Sequence, residues 1–412
     1  MDMQQSVPFH MMAKPGGAVC NLDCSYCYYL TKDMLYPGDR LRMAYEVMDA
    51  YIRQLIEAHA GQPITVAWQG GEPTLMGLDF FRRAVERVRY HAPPGTEIQH
   101  TVQTNGTLLG DAWCAFLREQ GFLVGLSLDG PPDLHDTHRR DKRGRGTAER
   151  VIRAVQRLQR HGVEFNILCS VHASNVDHPL RVYRFLRDEL GVRFMQFIPI
   201  VERLEPGQDA PHGWGRKVPG RTFYTQAGSE VSARTVDPVR WGAFLNTIFD
   251  EWLRHDVRRV FVQSFENALE AWVGMDPSLC VFRRTCGRAL ALEHNGDVYS
   301  CDHYVEPGHR LGNITDTHMA ELVESPRQQA FGRAKSETLP RQCRACRYRF
   351  ACNGGCPRNR FVRTTDDEDG LNYLCTGYRA FFRHIDPAMR RLAHMLRASG
   401  TGHGVTGQAG SA

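Results

Sequence analysis

Three cysteines near the start of the chain constrain its fold and chemistry more than any other feature. Cys20, Cys24 and Cys27 lie within eight residues, spaced Cys-x3-Cys-x2-Cys, and the next cysteine is Cys114. A structural zinc ion takes four tetrahedral ligands, so three thiolates on one loop are an incomplete zinc set. They are a complete set for a four-iron cluster in which one iron stays open to another ligand. A partial zinc knuckle, or three unrelated thiols, is the alternative.

Length, composition and charge are typical of an ordinary globular protein. The chain has 412 residues, 42% of them hydrophobic and 24% charged, enough for two domains or for one large domain with an appendage. The formal net charge is +5, and the densest basic run is residues 139–145. Because no aromatic residues interleave with that run, a solvated or cofactor-facing loop is favoured over a nucleic-acid site.

The sequence contains no apolar stretch long enough to span a bilayer, and its N-terminus lacks the regions of a signal peptide. We therefore expect the protein in the cytoplasm, without a membrane or nucleic-acid partner. Thirteen cysteines in a reducing compartment indicate metal ligands rather than disulfides. Cys114 and Cys169 lie in apolar segments, and we assign both to core packing.

Strand-like runs alternate with amphipathic helical segments through the first half of the chain. The predicted strands are residues 9–14, 64–69, 98–104, 123–128, 164–171 and 193–200, and the predicted helices are residues 45–60, 78–91, 111–120, 148–161 and 179–190. This alternation predicts a parallel sheet flanked by helices. In parallel barrels the chemistry lies on loops after the carboxyl ends of strands, and the cysteine loop follows the first predicted strand.

Turn motifs with polar residues follow the next predicted strands. The second strand ends in Gln69-Gly70-Gly71-Glu72, where the glycines allow close approach to a ligand and Glu72 can accept a hydrogen bond from an ammonium group. Residues 104–107 and 127–131 are turn signals that, by themselves, predict no more than tight turns. A cation after the fourth strand can pair with a cofactor carboxylate, which supports Ser127 and Arg139 as cofactor contacts. Arg140 and Arg143 are rivals for the arginine role.

Eight further cysteines occupy the C-terminal third of the chain. They are Cys280, Cys286, Cys301, Cys343, Cys346, Cys352, Cys356 and Cys375. Eight thiolates make two sets of four, enough for two fully ligated four-iron clusters. A pair of zinc ribbons is the alternative, because Cys-x2-Cys recurs in zinc sites. Iron is favoured since the N-terminal triad already indicates cluster chemistry.

These motifs together resemble a known superfamily. The spacing of the first three cysteines is similar to that of radical S-adenosylmethionine (radical SAM) enzymes, in which the cofactor's methionyl part occupies the open iron. The resemblance implies an α/β fold, a partial (β/α)6 barrel of TIM type, with residues 69–72 holding the amino group of S-adenosylmethionine. Residues 280–375 resemble the SPASM extension of these enzymes. That implies one auxiliary cluster bound by Cys280, Cys286, Cys301 and Cys356, and a second bound by Cys343, Cys346, Cys352 and Cys375.

Within the SPASM group the chain most resembles the anaerobic sulfatase-maturating enzymes. The stretches that carry this resemblance are residues 68–74, 127–131, 165–169, 301–305, 311–314 and 371–375. The family oxidises a cysteine or serine of a sulfatase to Cα-formylglycine without oxygen. The resemblance implies S-adenosylmethionine and three [4Fe–4S] clusters as cofactors, and cofactor contacts at Tyr26, Gly71, Ser127 and Arg139, with Val201 in the adenine pocket.

The same resemblance implies a mechanism. A 5′-deoxyadenosyl radical, formed at the Cys20/Cys24/Cys27 cluster, takes a hydrogen atom from the substrate Cβ. The substrate radical then loses a proton to a general base and an electron to the auxiliary clusters. Asp302 corresponds to that base, although by itself an acidic residue in a turn is more often simply solvated. The partners implied are an unfolded or nascent sulfatase polypeptide and an external electron donor such as flavodoxin or ferredoxin.

The predicted organisation has four parts. The radical SAM barrel takes residues 1–235, with an irregular insert at 202–235, and a helical connector takes residues 236–279. The auxiliary-cluster domain takes residues 280–382, and a C-terminal helix with a disordered tail takes residues 383–412. Two other functions stay open at this point: a SPASM enzyme that modifies another ribosomal peptide, for example by forming a thioether, and a zinc-binding protein without catalysis.

Overall fold

The computed structural model describes residues 8–215 and 218–398. The strands are β1 (His10–Lys14), β2 (Ile64–Trp68), β3 (Ile98–Thr104), β4 (Phe122–Ser127), β5 (Glu164–Val171), β6 (Phe194–Pro199), β7 (Arg203–Leu204), β8 (Glu230–Val231), β9 (Phe261–Val262), β10 (Ala289–Glu293), β11 (Asp297–Tyr299), β12 (Arg310–Asn313), β13 (Arg360–Val362) and β14 (Leu371–Asn372). The α-helices are α1 (Tyr45–Ala58), α2 (Leu78–His91), α3 (Asp111–Glu119), α4 (Pro132–His138), α5 (Ala148–His161), α6 (Pro179–Arg184), α7 (Pro238–His255), α8 (Gln263–Val273), α9 (Met319–Val323), α10 (Pro326–Glu337), α11 (Arg341–Arg344), α12 (Arg349–Cys352) and α13 (Cys375–Ala398).

The six predicted strands are β1 to β6, and they lie side by side in chain order. Each pairs in parallel with the next, as in the register of Ile64 to Ile98 between β2 and β3. Helices connect them, so the predicted parallel α/β architecture is confirmed. Helix α6 is shorter than predicted because its last part, Phe185–Glu189, is a π-helical turn.

The helices bury one apolar face against the sheet. Helix α5 shows the pattern, because its buried residues Val151, Ala154, Val155 and Leu158 recur at three- and four-residue spacing. It ends at His161, and the next residue, Gly162, caps it with a left-handed φ of 66°. Cys114 and Cys169 are fully buried in this core, and their assignment to packing is confirmed.

The C-terminal part of the chain extends the same sheet, which the sequence did not predict. Strand β10 pairs in parallel with β1, with His10 beside Ala289, and β11 and β12 continue the sheet as antiparallel strands. At the other edge the short β9 pairs with β6. The auxiliary cysteines before and after β10 and β11 are thereby held against the barrel rather than on a detached module.

The region predicted as an irregular insert packs onto the cysteine loop. Strands β7 and β8 pair at its ends, and between them Trp214 and Tyr224 stack with ring centroids 4.2 Å apart. Both rings are buried, in a cluster that Cys20 and Cys27 border. The insert therefore covers one side of the triad.

The last helix, α13, starts at Cys375, earlier than the predicted start at residue 383, and packs closely on α7. A Cβ added at Gly377 would lie 2.2 Å from the carbonyl oxygen of Pro238, so this crossing requires glycine. Most of the tail predicted to be disordered lies outside the described residues. In the described part of the chain no helix is long and apolar enough to cross a membrane.

Candidate active site

Neighbouring loops hold the cysteine loop at the carboxyl ends of the strands. The segment before α5 forms hydrogen bonds with the middle of the cysteine loop. Asp23 N donates to Arg140 O (2.8 Å), and Ser25 Oγ is hydrogen-bonded to His138 Nδ1 (2.7 Å). On the other side, Asn105 Nδ2 donates to Asn21 Oδ1 (2.9 Å). The turn at residues 104–107 is therefore part of the site, and the basic run at 139–145 partly folds back on this loop.

The thiols of the triad lie near one another in an apolar, buried setting. Burial raises the pKa of Cys24 to about 12, with Cys27 adding to the rise and Arg139 opposing it. Burial and the charges of Cys24 and Cys27 likewise raise the pKa of Cys20. Three thiols on one loop, with Arg139 to favour thiolate, fit the binding of a cluster, since cluster ligands are thiolates.

The Gly70-Gly71-Glu72 motif contacts the cysteine loop through its backbone. Gly71 N donates to Gly17 O and Glu72 N to Val19 O, each at 2.8 Å. A Cβ on Gly71 would lie 2.2 Å from Val19 O, so only glycine allows this approach. Gly70 adopts a φ of 125°. The observed close approach is therefore between two segments of the chain.

Glu72 connects the loop after β2 to the end of β3. Its carboxylate accepts hydrogen bonds from Thr74 N (3.0 Å), Thr74 Oγ1 (2.6 Å), Thr104 Oγ1 (2.7 Å) and Asn105 N (2.8 Å), and the side chain is buried. These contacts saturate the carboxylate within the protein. The prediction that Glu72 receives the ammonium group of S-adenosylmethionine stays a prediction, and its observed contacts are structural.

Arg139 is the arginine that faces the site. Its Nε donates to Asp129 Oδ2 (2.8 Å), and Tyr26 donates its hydroxyl proton to the same carboxylate, with all three side chains buried. Arg139 outweighs burial and lowers the pKa of Asp129 to about 2. The rivals Arg140 and Arg143 are exposed. A cofactor carboxylate at Arg139 would share the guanidinium with Asp129, a partner that the sequence did not predict.

The remaining predicted cofactor contacts lie around the same end of the barrel. Ser127 ends β4 and is buried, and Val201 follows β6 and is 1% exposed. Gln69 follows β2, and its buried Oε1 has no hydrogen-bond partner among the described residues. Such an orphaned acceptor fits a ligand that supplies a donor.

Asp302 lies one residue after Cys301, in a short 3₁₀ turn, and is held by two side chains from the first strand–loop unit. Lys14, the last residue of β1, forms an ion pair with Asp302 Oδ1, and Tyr28 donates its hydroxyl proton to Oδ2 (3.2 Å). Burial opposes ionisation, but Lys14 outweighs it and holds the pKa of Asp302 below its usual value. Asp302 is therefore a carboxylate at neutral pH, able to accept a proton.

A neutral histidine and an arginine border the same place. His303 Nδ1 lies 3.1 Å from Arg358 Nη1, and Arg358 also donates to Val201 O (3.2 Å). Burial and Arg358 lower the pKa of His303 to about 4, so its imidazole is neutral near pH 7. Arg358 joins the auxiliary region to the loop after β6.

The electrostatic influences among the eight C-terminal thiols fall into two groups. Burial and the charges of Cys356 and Cys280 raise the pKa of Cys286 to about 12, and the same neighbours raise that of Cys301. In the second group, burial and the charges of Cys375, Cys343 and Cys346 raise the pKa of Cys352 to about 12. This division is the one that the family resemblance implied, and the two ligand sets stay a prediction.

All thirteen cysteines are free thiols. Among the described residues no three His, Cys, Asp or Glu side chains converge as the ligands of one metal ion do.

Sequence reasoning missed Lys14, Tyr28 and Asp129. A lysine that ends an otherwise apolar strand on the loop side of a parallel sheet was the available signal for Lys14. Asp129 is part of the Ser127-Leu128-Asp129 turn, but its partner Tyr26 is 103 residues away in the sequence. Tyr28 adjoins the triad, yet its contact with Asp302 spans 274 residues of sequence.

Comparison with known proteins places this geometry in a defined class. Residues 15–186 match the radical SAM superfamily model, and residues 280–347 match an iron–sulfur cluster-binding domain, SPASM. The fold and cysteine sets therefore define a radical SAM enzyme that uses S-adenosylmethionine and a [4Fe–4S] cluster, with further clusters in its C-terminal part.

Comparison with individual proteins identifies the family within this class. A serine-type anaerobic sulfatase-maturating enzyme of Bacteroides thetaiotaomicron is 43% identical over 386 residues, 93% of this chain and 90% of that protein. A cysteine-type enzyme of Clostridium perfringens is 33% identical over 95% of this chain and its own whole length. The solved structure described as native anSMEcpe with bound AdoMet and Cp18Cys peptide superposes with a TM-score of 0.80 at 32% identity, covering 95% of this chain and 100% of that one. The chain belongs to the family of anaerobic sulfatase-maturating enzymes.

Proposed function

We propose that this chain oxidises a serine or cysteine of a sulfatase polypeptide to Cα-formylglycine, at the end of the barrel where Cys20, Arg139 and Asp302 lie. When bound, S-adenosylmethionine and the first cluster supply a radical that removes a hydrogen atom from the substrate Cβ. The single observation that carries the residue-level proposal is the Lys14–Asp302–Tyr28 arrangement beside Cys301. It provides an ionised, oriented carboxylate next to one auxiliary set.

The residues that would hold the cofactors follow from the site. Cys20, Cys24 and Cys27 would bind the first cluster. Arg139 and Ser127 would bind the carboxylate of S-adenosylmethionine, residues 69–72 its amino group, and Tyr26 and Val201 its remaining parts. Cys280, Cys286, Cys301 and Cys356 would bind one auxiliary cluster, and Cys343, Cys346, Cys352 and Cys375 the other.

Asp302 would take the proton that the substrate must lose in becoming an aldehyde or thioaldehyde. Lys14 keeps the carboxylate ionised, and the Tyr28 hydroxyl orients it by occupying Oδ2. Lys14 is buried and lies over the ring of Tyr29 at 4.4 Å, which fixes its position. We assign Asp302 the role of general base and Lys14 and Tyr28 positioning roles.

The substrate is proposed to be an unfolded or nascent sulfatase segment, since the target side chain must reach a site inside the mouth of the barrel. Serine-type relatives are the more similar, 43% against 33% identity, so we propose that serine is an accepted target. An external donor such as flavodoxin or ferredoxin would supply electrons to the first cluster. Cytoplasmic location is part of the same proposal.

The test is anaerobic incubation of the reconstituted enzyme with S-adenosylmethionine, reductant and two sulfatase-motif peptides that differ only in serine or cysteine at the target. We expect a product that a hydrazide probe captures, together with 5′-deoxyadenosine, from the serine peptide. An oxidised product that the probe does not capture indicates another modification, such as a thioether, and would contradict the proposal. Absence of acid-labile sulfide from the enzyme would exclude the clusters themselves.

A further inference from the structure

Two buried cations lie among the C-terminal cysteines. Lys335, on α10, is 1% exposed, and Arg360, at the start of β13, is half-buried. All of their hydrogen bonds go to main-chain carbonyl oxygens. Among the described residues neither cation forms a salt bridge with a carboxylate, and the strongest influences that raise the pKa of each come from cysteine thiols. Burying a charge without an opposite charge is costly, so these cations indicate an anionic group between them and the cysteines.

Lys335 belongs to the first auxiliary set. Its Nζ donates to Cys280 O (2.6 Å) and Val281 O (3.0 Å), which fixes the ammonium group beside the first cysteine of the set. The thiols with the strongest effect on its pKa are Cys286, Cys356 and Cys280, all members of that set. The hydrogen bonds of the ammonium group therefore place it at the first set.

Arg360 lies between the two sets. Its Nη1 donates to Lys335 O (2.6 Å), Nε to Gly354 O (3.0 Å), and Nη2 to the carbonyl oxygens of Asn353 (2.9 Å) and Gly355 (3.2 Å). Residues 353–355 link Cys352 of the second set to Cys356 of the first. Charges from Cys343 and Cys352, and from Cys286 and Cys356, act on the guanidinium. A Cβ on Gly354 would lie 2.8 Å from Arg360 Nη2, so the absence of a side chain at residue 354 leaves space for the guanidinium.

We propose that Lys335 and Arg360 set the reduction potentials of the two auxiliary clusters, Lys335 for the first set alone and Arg360 for both. A nearby cation stabilises the more negative, reduced state of a cluster and so raises its potential. The first set, which contains Cys301 beside Asp302, is next to both cations. The one electron that the substrate radical gives up, as its proton passes to Asp302, is therefore held most favourably there. This inference rests on the ligand sets of the proposed function.

The test is an anaerobic potentiometric titration of the reconstituted holoenzyme, followed by electron paramagnetic resonance. Lys335→Met keeps the length of the side chain and removes the charge, and we expect one auxiliary midpoint to become more negative while the other stays in place. Arg360→Met should lower both. Lys335→Arg and a distant surface variant, Arg153→Met, should leave both midpoints near those of the wild type.

Iron and sulfide are measured on every variant, because the cations also support the loops. Fully loaded Lys335→Met with unchanged midpoints would overturn the role of Lys335. Arg360→Lys keeps the charge but not the four carbonyl contacts. Midpoints near the wild type in that variant support an effect of charge, whereas a shift equal to that of Arg360→Met overturns it. Wild-type enzyme that loads fewer than three clusters contradicts the ligand sets themselves, so the two failures are distinguishable.

Discussion

At the scale of single residues, the ion pair between Lys14 and Asp302 is the most informative feature of the site. Carboxylates that accept protons in catalysis usually have a pKa tuned toward the working pH, whereas Lys14 holds that of Asp302 low. A weak base suffices here because a carbon radical next to oxygen or sulfur is far more acidic than its parent alcohol or thiol. Orientation by Lys14 and Tyr28 is therefore the main contribution of these neighbours.

Replacing Asp302 with asparagine should separate the two halves of the reaction. We expect Asp302→Asn to cleave S-adenosylmethionine but to form formylglycine roughly 100-fold more slowly, the lower end of general-base effects. The measurement is 5′-deoxyadenosine and aldehyde product in one assay. Product formation at the wild-type rate would remove Asp302 from the role of base.

Replacing Lys14 should shift the acid limb of the pH–rate profile. Asp302 must be ionised to act, so activity is lost as pH falls through its pKa. Lys14 keeps that pKa below the usual carboxylate range, and Lys14→Met removes the largest influence that opposes burial, so the pKa rises. We expect the acid limb of the variant to move to higher pH. Arg82→Met, at an exposed ion pair, is the control, and coincident limbs for Lys14→Met and wild type would contradict the assignment.

At the scale of elements, the loops after the strands are fixed mainly by hydrogen bonds to one another. Gly71 allows the second loop to bond the cysteine loop, and Glu72 connects the end of β2 to the end of β3. Asp23 N donates to Arg140 O, and the Asp23 carboxylate accepts a hydrogen bond from Lys142 Nζ. The shape of the cysteine loop is thus set by several elements together. We therefore expect a substitution in one of these elements to alter the binding of the first cluster.

Gly71→Ala tests this coupling. A methyl group at residue 71 would overlap Val19 O, so the cysteine loop must shift, at a cost of about 1–3 kcal/mol. We expect lower iron content in the first cluster and a lower Tm. Gly110→Ala is the matched control, because nothing lies within 4 Å of its Cβ and its φ is −97°. Equal iron content in both variants would show that the loop accommodates the methyl group.

At the scale of the whole molecule, the sheet joins parts of the chain that the sequence assigned to different domains. Strand β10 pairs with all five residues of β1, the strand that precedes the cysteine loop. Removing the C-terminal part would leave the main-chain groups of β1 unpaired at an open edge. The auxiliary region is therefore expected to support the barrel as well as to hold clusters.

A chain that ends at residue 279 tests this dependence. We expect it to aggregate or to unfold at a clearly lower temperature than the full chain, because the edge of β1 and the apolar residues packed beneath β10 become exposed. Size-exclusion chromatography with light scattering and thermal unfolding measure the outcome. A monodisperse, folded truncated protein would show that the barrel is independent of the C-terminal strands.

Much of this protein is determined by local sequence. The six barrel strands and their helices follow from periodicity and turn residues, because their pairing partners are neighbours in the chain. The three-cysteine loop is encoded within eight residues. The family resemblance added the interleaved division of the C-terminal cysteines, which linear order does not suggest.

Only the tertiary structure decided the contacts between distant segments. Lys14 meets Asp302 across 288 residues because β1 and the region after β11 belong to one sheet, and the sequence carries no local signal of that pairing. The order of strands in the sheet likewise brings Tyr26 to Asp129 and Glu72 to Asn105. The cysteines indicate which cofactors a chain like this can hold, whereas the tertiary structure determines which carboxylate and which cations lie beside them.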